Sequence, residues 1–223
     1  FTVDDFVKKA ERVLGLIYQS KKIPLVVGGT GLYVDVLLGR MSYPNVPPNE
    51  KLRVQLEKKT VEQLFAQLQT LDPRRAATIE PGHKRRIIRA IEIAKAIGAS
   101  PLPNPVPAYD VLWLGINPPE TKLYTNIRTR LLSRMKAGMV AEAAALHKAG
   151  LSYKRMAELG LEYRHLARLL KKEVTKEQFL EELERDIRHY AKRQKGWFKR
   201  NQNIHWVSGK AEALRLAKEF LKH

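Results

Sequence analysis

The sequence predicts a helix-rich α/β protein with a few parallel strands and an all-helical insertion, and three observations predict it. A short apolar run, Ile23 to Val27, ends in a glycine turn at the mouth of a helix. A second apolar run, Val111 to Ile116, is uninterrupted by charge, as a buried parallel strand is. Two proline-rich segments, 40–50 with Pro44, Pro47 and Pro48 and 101–107 with Pro101, Pro103, Pro105 and Pro107, bracket a stretch whose periodicity is helical throughout.

Thr2 and Asp5 make a capping-box start, and Phe6, Ala10, Val13, Leu14 and Ile17 follow at helical spacing, so a helix is expected over 3–20. The strand at 23–27 then leads through Gly28-Gly29-Thr30-Gly31 into a helix over 31–38. Inside the proline brackets the pattern predicts helices at 50–58, 60–69, 73–79 and 83–97. Residues 44–106 therefore read as a helical subdomain inserted into a core made of 1–43 and 107–223. After the strand at 111–116, helices are expected at 119–136, 139–149, 161–170 and 175–200. A last strand at 204–207 and a terminal helix from 209 complete the chain, with Thr175 and Gln178 as the capping box of the longest helix.

The 223 residues, 44% of them hydrophobic, are enough to bury a core without staples. Forty-one Lys and Arg against 23 Asp and Glu give a formal net charge of +18, which points to a polyanionic partner. The absence of cysteine excludes disulfides, thiolate metal sites and cysteine nucleophiles, and fits a cytoplasmic setting. No apolar run is long enough to cross a bilayer, so no membrane partner is expected. Phe1 already reads as part of a helix start, from which a segment upstream is expected.

Gly28, Gly29, Thr30 and Gly31 would aim backbone N–H groups and one hydroxyl at a point where a phosphate could sit, although a tight strand-to-helix connection needs the same residues. Cations concentrate in three helices. Arg185, Arg188, Lys192, Lys195 and Lys199 recur at spacings of three and four, and between 185 and 200 there are seven Lys or Arg and a single acid, so a continuous basic stripe facing phosphate is expected. Arg85, Arg86 and Arg89 share a side of the helix whose Ile87, Ile91 and Ala94 point inward. Arg128, Arg130 and Arg134 form a third set of the kind that clamps phosphate. Trp and Tyr residues offer stacking platforms for bases, with Trp113 expected in the core. The six histidines have no metal-motif spacing and read as structural or surface residues.

Ordered blocks now carry a resemblance. Val27-Gly28-Gly29-Thr30-Gly31-Leu32-Tyr33, Asp72-Pro73 with Arg85 to Glu92 and Gly98, Leu123-Tyr124 with Ile127, Arg130, Gly138 and Glu142, Leu159 to Arg164, and Ala191-Lys192-Arg193-Gln194 with Trp197-Phe198 together closely resemble the tRNA dimethylallyltransferase family. The resemblance implies a P-loop-kinase-like parallel core whose helical insertion closes on the anticodon stem-loop of tRNA. It also implies transfer of a dimethylallyl group from dimethylallyl diphosphate to N6 of the adenosine 3′ of the anticodon, with Mg2+ as cofactor and release of pyrophosphate. Carried over by motif, Thr30 lies at the reacting centre and Arg130 binds diphosphate together with Gly28, Gly29, Thr30 and Gly31. Arg53, Arg85, Arg86, Arg89, Tyr163, Arg164, Lys192, Arg193, Gln194, Trp197, Lys199 and Arg200 hold the tRNA.

The family's P-loop lysine and threonine, and the aspartate that follows them, have no counterpart in these residues, so no metal ligand is expected within them. Asp35 is expected to face solvent. Asn126, Leu132, Arg134 and Lys195-Gly196 depart from the family pattern. The expectation is a monomeric tRNA prenyltransferase that needs its upstream segment for catalysis. A non-catalytic RNA-binding module derived from the family is the alternative.

Overall fold

The computed structural model describes residues 2–41, 43–99 and 109–222, which form a helix-rich α/β protein with one small parallel sheet. The chain divides into two compact units, Phe1–Asp110 and Val111–His223.

In the first unit, helix α1 (Val3–Gln19) starts at the expected capping box: the Thr2 hydroxyl accepts the Asp5 amide and the Asp5 carboxylate accepts the Thr2 amide. Helix α2 (Gly31–Leu37) packs on it, with the Phe6 and Tyr33 rings stacked 5.0 Å apart. The expected strand at 23–27 does not form: these residues carry no ladder, and Leu25 and Val27 are 84% and 85% exposed. A strand is held by a neighbour's backbone and a covering layer, and none of the described residues supplies either here.

The remaining helices of this unit fall within two residues of expectation: α3 (Glu50–Glu57), α4 (Val61–Leu71), α5 (Pro73–Thr78) and α6 (Lys84–Ile97). Each start has a local cause. Asn49 caps α3, Thr60 and Gln63 form a capping box on α4, and the buried Asp72 accepts the Arg75 amide at 3.0 Å with Pro73 at the first helical position. Leu56, Leu64, Leu68, Ala76, Ile87 and Ile91 close one core between them. Helix α6 stops at Gly98, whose φ of +84° suits glycine. The second proline-rich segment, 101–107, lies outside the described residues.

The second unit packs α7 (Glu120–Lys136), α8 (Met139–Lys148), α9 (Tyr153–Leu159), α10 (Leu161–Leu170) and α11 (Lys176–Phe198) around Leu131, Met139, Met156, Leu166, Phe179 and Leu183. Strand β1 (Trp113–Ile116) pairs in parallel with β2 (Ile204–Val207), and α12 (Lys210–Phe220) follows. Gly115 sits opposite Trp206, and a Cβ there would fall 2.6 Å from the indole, so this position accepts only glycine. Two expectations change here. The β1 run is not buried, since Ile116 is 83% exposed and Trp113 only half-buried, because β2 is its one partner among the described residues. Helix α9 was not expected, although Ser152 caps it by accepting the Arg155 amide at 3.2 Å.

Candidate nucleic-acid and diphosphate sites

The glycine turn delivers Thr30 to the N-cap of α2, where its carbonyl accepts the Tyr33 amide at 3.0 Å and the Val34 amide at 3.3 Å. Its hydroxyl makes no capping bond and the residue is exposed. Gly31 is buried against the fold, whereas a Cβ on Gly28 would meet nothing within 4 Å. At Gly28 and Thr30 the turn therefore presents backbone and a hydroxyl to solvent. Asp35, one helical turn on, does not face solvent as expected: its half-buried carboxylate lies 3.4 Å from Arg40 Nε.

On α6 the arginines divide into two kinds. Arg85 and Arg86 are exposed, in a first turn that holds three cations and no acid. That placement opposes the helix dipole, so it does not serve the helix itself. Arg89 instead donates to the Val46 carbonyl at 2.6 Å and to Glu92 at 3.3 Å. Arg53, from α3, forks onto the same carboxylate with Nε and Nη2 at 2.9 and 3.0 Å and places Nη1 3.2 Å from Glu50. Arg53 and Arg89, both expected to hold tRNA, are thus each paired with the buried Glu92. Burial pushes the Glu92 carboxyl up, but bonds from Arg53 and the Asn49 amide outweigh it and hold the group below the ordinary carboxylate range.

The arginine row on α7 divides in the same way. Arg128 donates to the buried Glu184 at 2.8 Å and Arg134 pairs with Glu162. Arg130 is exposed and makes no ion pair among the described residues. Of the three arginines of the expected phosphate clamp, Arg130 is the one with no ion pair among the described residues.

The basic stripe on α11 is interrupted rather than continuous. Arg188 folds back onto Glu184 and lies over the Tyr124 ring at 4.4 Å, and Arg185 sits 3.7 Å from Asp186. Beyond this point Lys192, Arg193, Lys199 and Arg200 are exposed, with Arg193 5.7 Å over Tyr190 and Arg200 4.1 Å over Trp197. Gln194 and Trp197 are half-buried on the same turns. Cation and aromatic face thus alternate over the last two turns, the pattern that stacks and neutralises single-stranded nucleic acid. At the start of α10, Arg164 is exposed, while Tyr163 donates its hydroxyl to Glu142 at 2.7 Å, a bond that raises the phenol's pKa. Among the histidines, His165 is structural, buried with Nε2 2.9 Å from Asp186.

Glu92 and Glu184 were missed by reading the sequence. Each does leave a signal: an acid on an otherwise apolar helix face with an arginine three or four residues away. Among the described residues no three His, Asp or Glu side chains converge to hold a metal ion, and the carboxylate nearest the glycine turn is paired with Arg40. No described helix is long and apolar enough to cross a membrane.

The family model described as IPP transferase matches residues 1–201. The chain is 34% identical over its whole length to tRNA dimethylallyltransferase 1 of Geotalea uraniireducens strain Rf4, of which it covers 75%. It is 36% identical over 92% of its length to the tRNA dimethylallyltransferase of Thermobifida fusca strain YX, of which it covers 66%. The chain thus spans 65% to 75% of the length of such relatives. Its structure resembles the crystal structure of the tRNA isopentenylpyrophosphate transferase of Bacillus halodurans with a TM-score of 0.66 and 28% identity, covering all of this chain and 72% of that one.

Proposed function

The chain belongs to the IPP transferase family, and from that premise we propose that it acts as a tRNA dimethylallyltransferase, moving the dimethylallyl group of dimethylallyl diphosphate to N6 of the adenosine 3′ of the anticodon. The observation that carries this reading is the similarity, at 34% identity along the entire chain, to a relative of that name. In the reaction the allylic C–O bond breaks, a C–N bond forms, the amine loses a proton and pyrophosphate departs. Electrostatic stabilisation of the leaving diphosphate is the main task of the protein. Arg130 is suited to it by its exposed guanidinium; in the first unit, Gly28 and the uncapped Thr30 hydroxyl are likewise exposed. Placement of the nucleobase supplies most of the remainder, with the base extruded from the loop.

For the RNA, Arg85, Arg86, Arg164, Lys192, Arg193, Lys199 and Arg200 offer exposed cations. Tyr163, Gln194 and Trp197 offer half-buried faces beside them. We read residues 44–106 as the insertion that grips the anticodon stem-loop, and β1 with β2 as strands of a P-loop-kinase-like core. The parallel pairing supports the latter, since parallel strands belong to sheets covered on both faces. A cytoplasmic setting fits the cysteine-free composition, and we read the protein as a monomer.

Incubating the full-length protein with labelled dimethylallyl diphosphate and unmodified bulk tRNA tests the proposal. Label at N6 of adenosine is the expected result. Tight binding without incorporation would instead identify a non-catalytic RNA-binding module.

A further inference from the structure

We propose that Glu92 is a positioning residue for RNA recognition: it withholds Arg53 and Arg89 from phosphate and ties the 43–49 connector to α6, leaving Arg85 and Arg86 as the RNA-facing charges of this helix. The inference rests on the RNA-binding reading above.

Arg85, Arg89 and Glu92 follow one another at i, i+4 and i+7, so they form a single row along α6. At the C-terminal end of that row the Glu92 side chain is 1% exposed. A carboxylate so deeply placed is tolerable only when its lone pairs are filled and its charge is met. Both conditions hold, through the Asn49 amide at 2.8 Å, the Arg53 fork and Arg89. Bidentate pairing fixes the Arg53 guanidinium plane as well as its charge. Arg89 adds a second tie, since its other nitrogen holds the Val46 carbonyl at 2.6 Å. The connector carries Pro44, Pro47 and Pro48, and these two anchor points, Val46 and Asn49, join it to α6 through side chains.

The charges at the other end of the row differ in kind. Arg85 makes no ion pair among the described residues, and Arg86 has only an exposed approach to Glu80 at 3.7 Å, which water and salt weaken. When phosphate arrives, these two guanidinium groups are available to neutralise it and displace its counterions. For Arg53 or Arg89 to do the same, each would have to leave a buried carboxylate behind.

The test is the slope of log affinity against log salt for the full-length protein with unmodified bulk tRNA, where each phosphate contact adds about 0.7–0.9 to the slope. Arg53→Met keeps the aliphatic stem and removes the charge, and it is expected to leave the slope as it is. Glu92→Gln removes the charge that restrains both arginines, and it is expected to steepen the slope by about one or more. Circular dichroism and thermal unfolding establish that each variant is folded. A slope flattened by about one in Arg53→Met would show Arg53 touching RNA and overturn the proposal. A folded Glu92→Gln with the parental slope would overturn it equally, and if that variant does not fold, Arg53→Met alone decides. Lack of tRNA binding by the parent protein would instead defeat the functional reading together with this one.

Discussion

At the scale of single residues, one contrast recurs: some arginines meet a buried acid and others do not. Arg128 and Arg130 are two residues apart on one helix and so point to different sides of it, and only the first meets a carboxylate shielded from water, Glu184. Arg130→Ala is therefore expected to lower kcat/KM for dimethylallyl diphosphate by about 10²–10³-fold, the usual loss when one preorganised charge partner is removed. Steady-state kinetics at saturating tRNA measures it. Thr30→Ala is expected to slow transfer more than it weakens tRNA binding, because the hydroxyl is uncapped and exposed and the helix does not depend on it. Single-turnover rates beside a filter-binding Kd separate the two effects. Glu92 has a pH signature. Its folded pKa lies below the ordinary 4.5, so the ionised form contributes stability that is complete above that value and is lost as pH falls through the lowered folded value. Urea midpoints between pH 6 and pH 3 should fall more steeply for the parent than for Glu92→Gln.

At the scale of elements, a helix was legible in the sequence wherever a cap and an apolar period coincided. Thr175 with Gln178 marks the start of α11, and both reciprocal bonds are made, at 3.2 and 2.9 Å. Thr175→Ala should cost about 1 kcal/mol, read as a lower urea midpoint at unchanged m-value. Helix α9 escaped notice because it has seven residues and buries only Met156, too short a span for a period to declare itself. The run at 23–27 misled for the opposite reason. Its composition is that of a strand, but a strand is completed by partners, and composition does not name them. The candidate site was legible to the same degree: the glycine turn and the basic helices follow from residue types, but which arginines are open does not. Arg53 and Arg85 are identical letters, and the difference between them is a glutamate 39 residues from Arg53 in sequence.

At the scale of the whole molecule, a net charge of +18 does not by itself set the strength of RNA binding, because many of the cations are internally matched. Those proposed to face RNA are Arg85, Arg86, Arg164, Lys192, Arg193, Lys199 and Arg200, all exposed. If most of them meet phosphate, raising salt from about 50 to about 200 mM should weaken tRNA binding by roughly 10³-fold or more. Replacing Arg85 and Arg86 together with alanine should make the slope shallower by about 1.5, with proportionate loss across tRNA sequences, since phosphate contacts carry no base information. Transfer at saturating tRNA should respond much less to salt, because it is limited by groups acting at short range on a bound substrate. Equal salt sensitivity of binding and of saturated transfer would mean that the exposed cations act on the chemical step, and the division of labour between gripping surface and reacting centre would have to be redrawn.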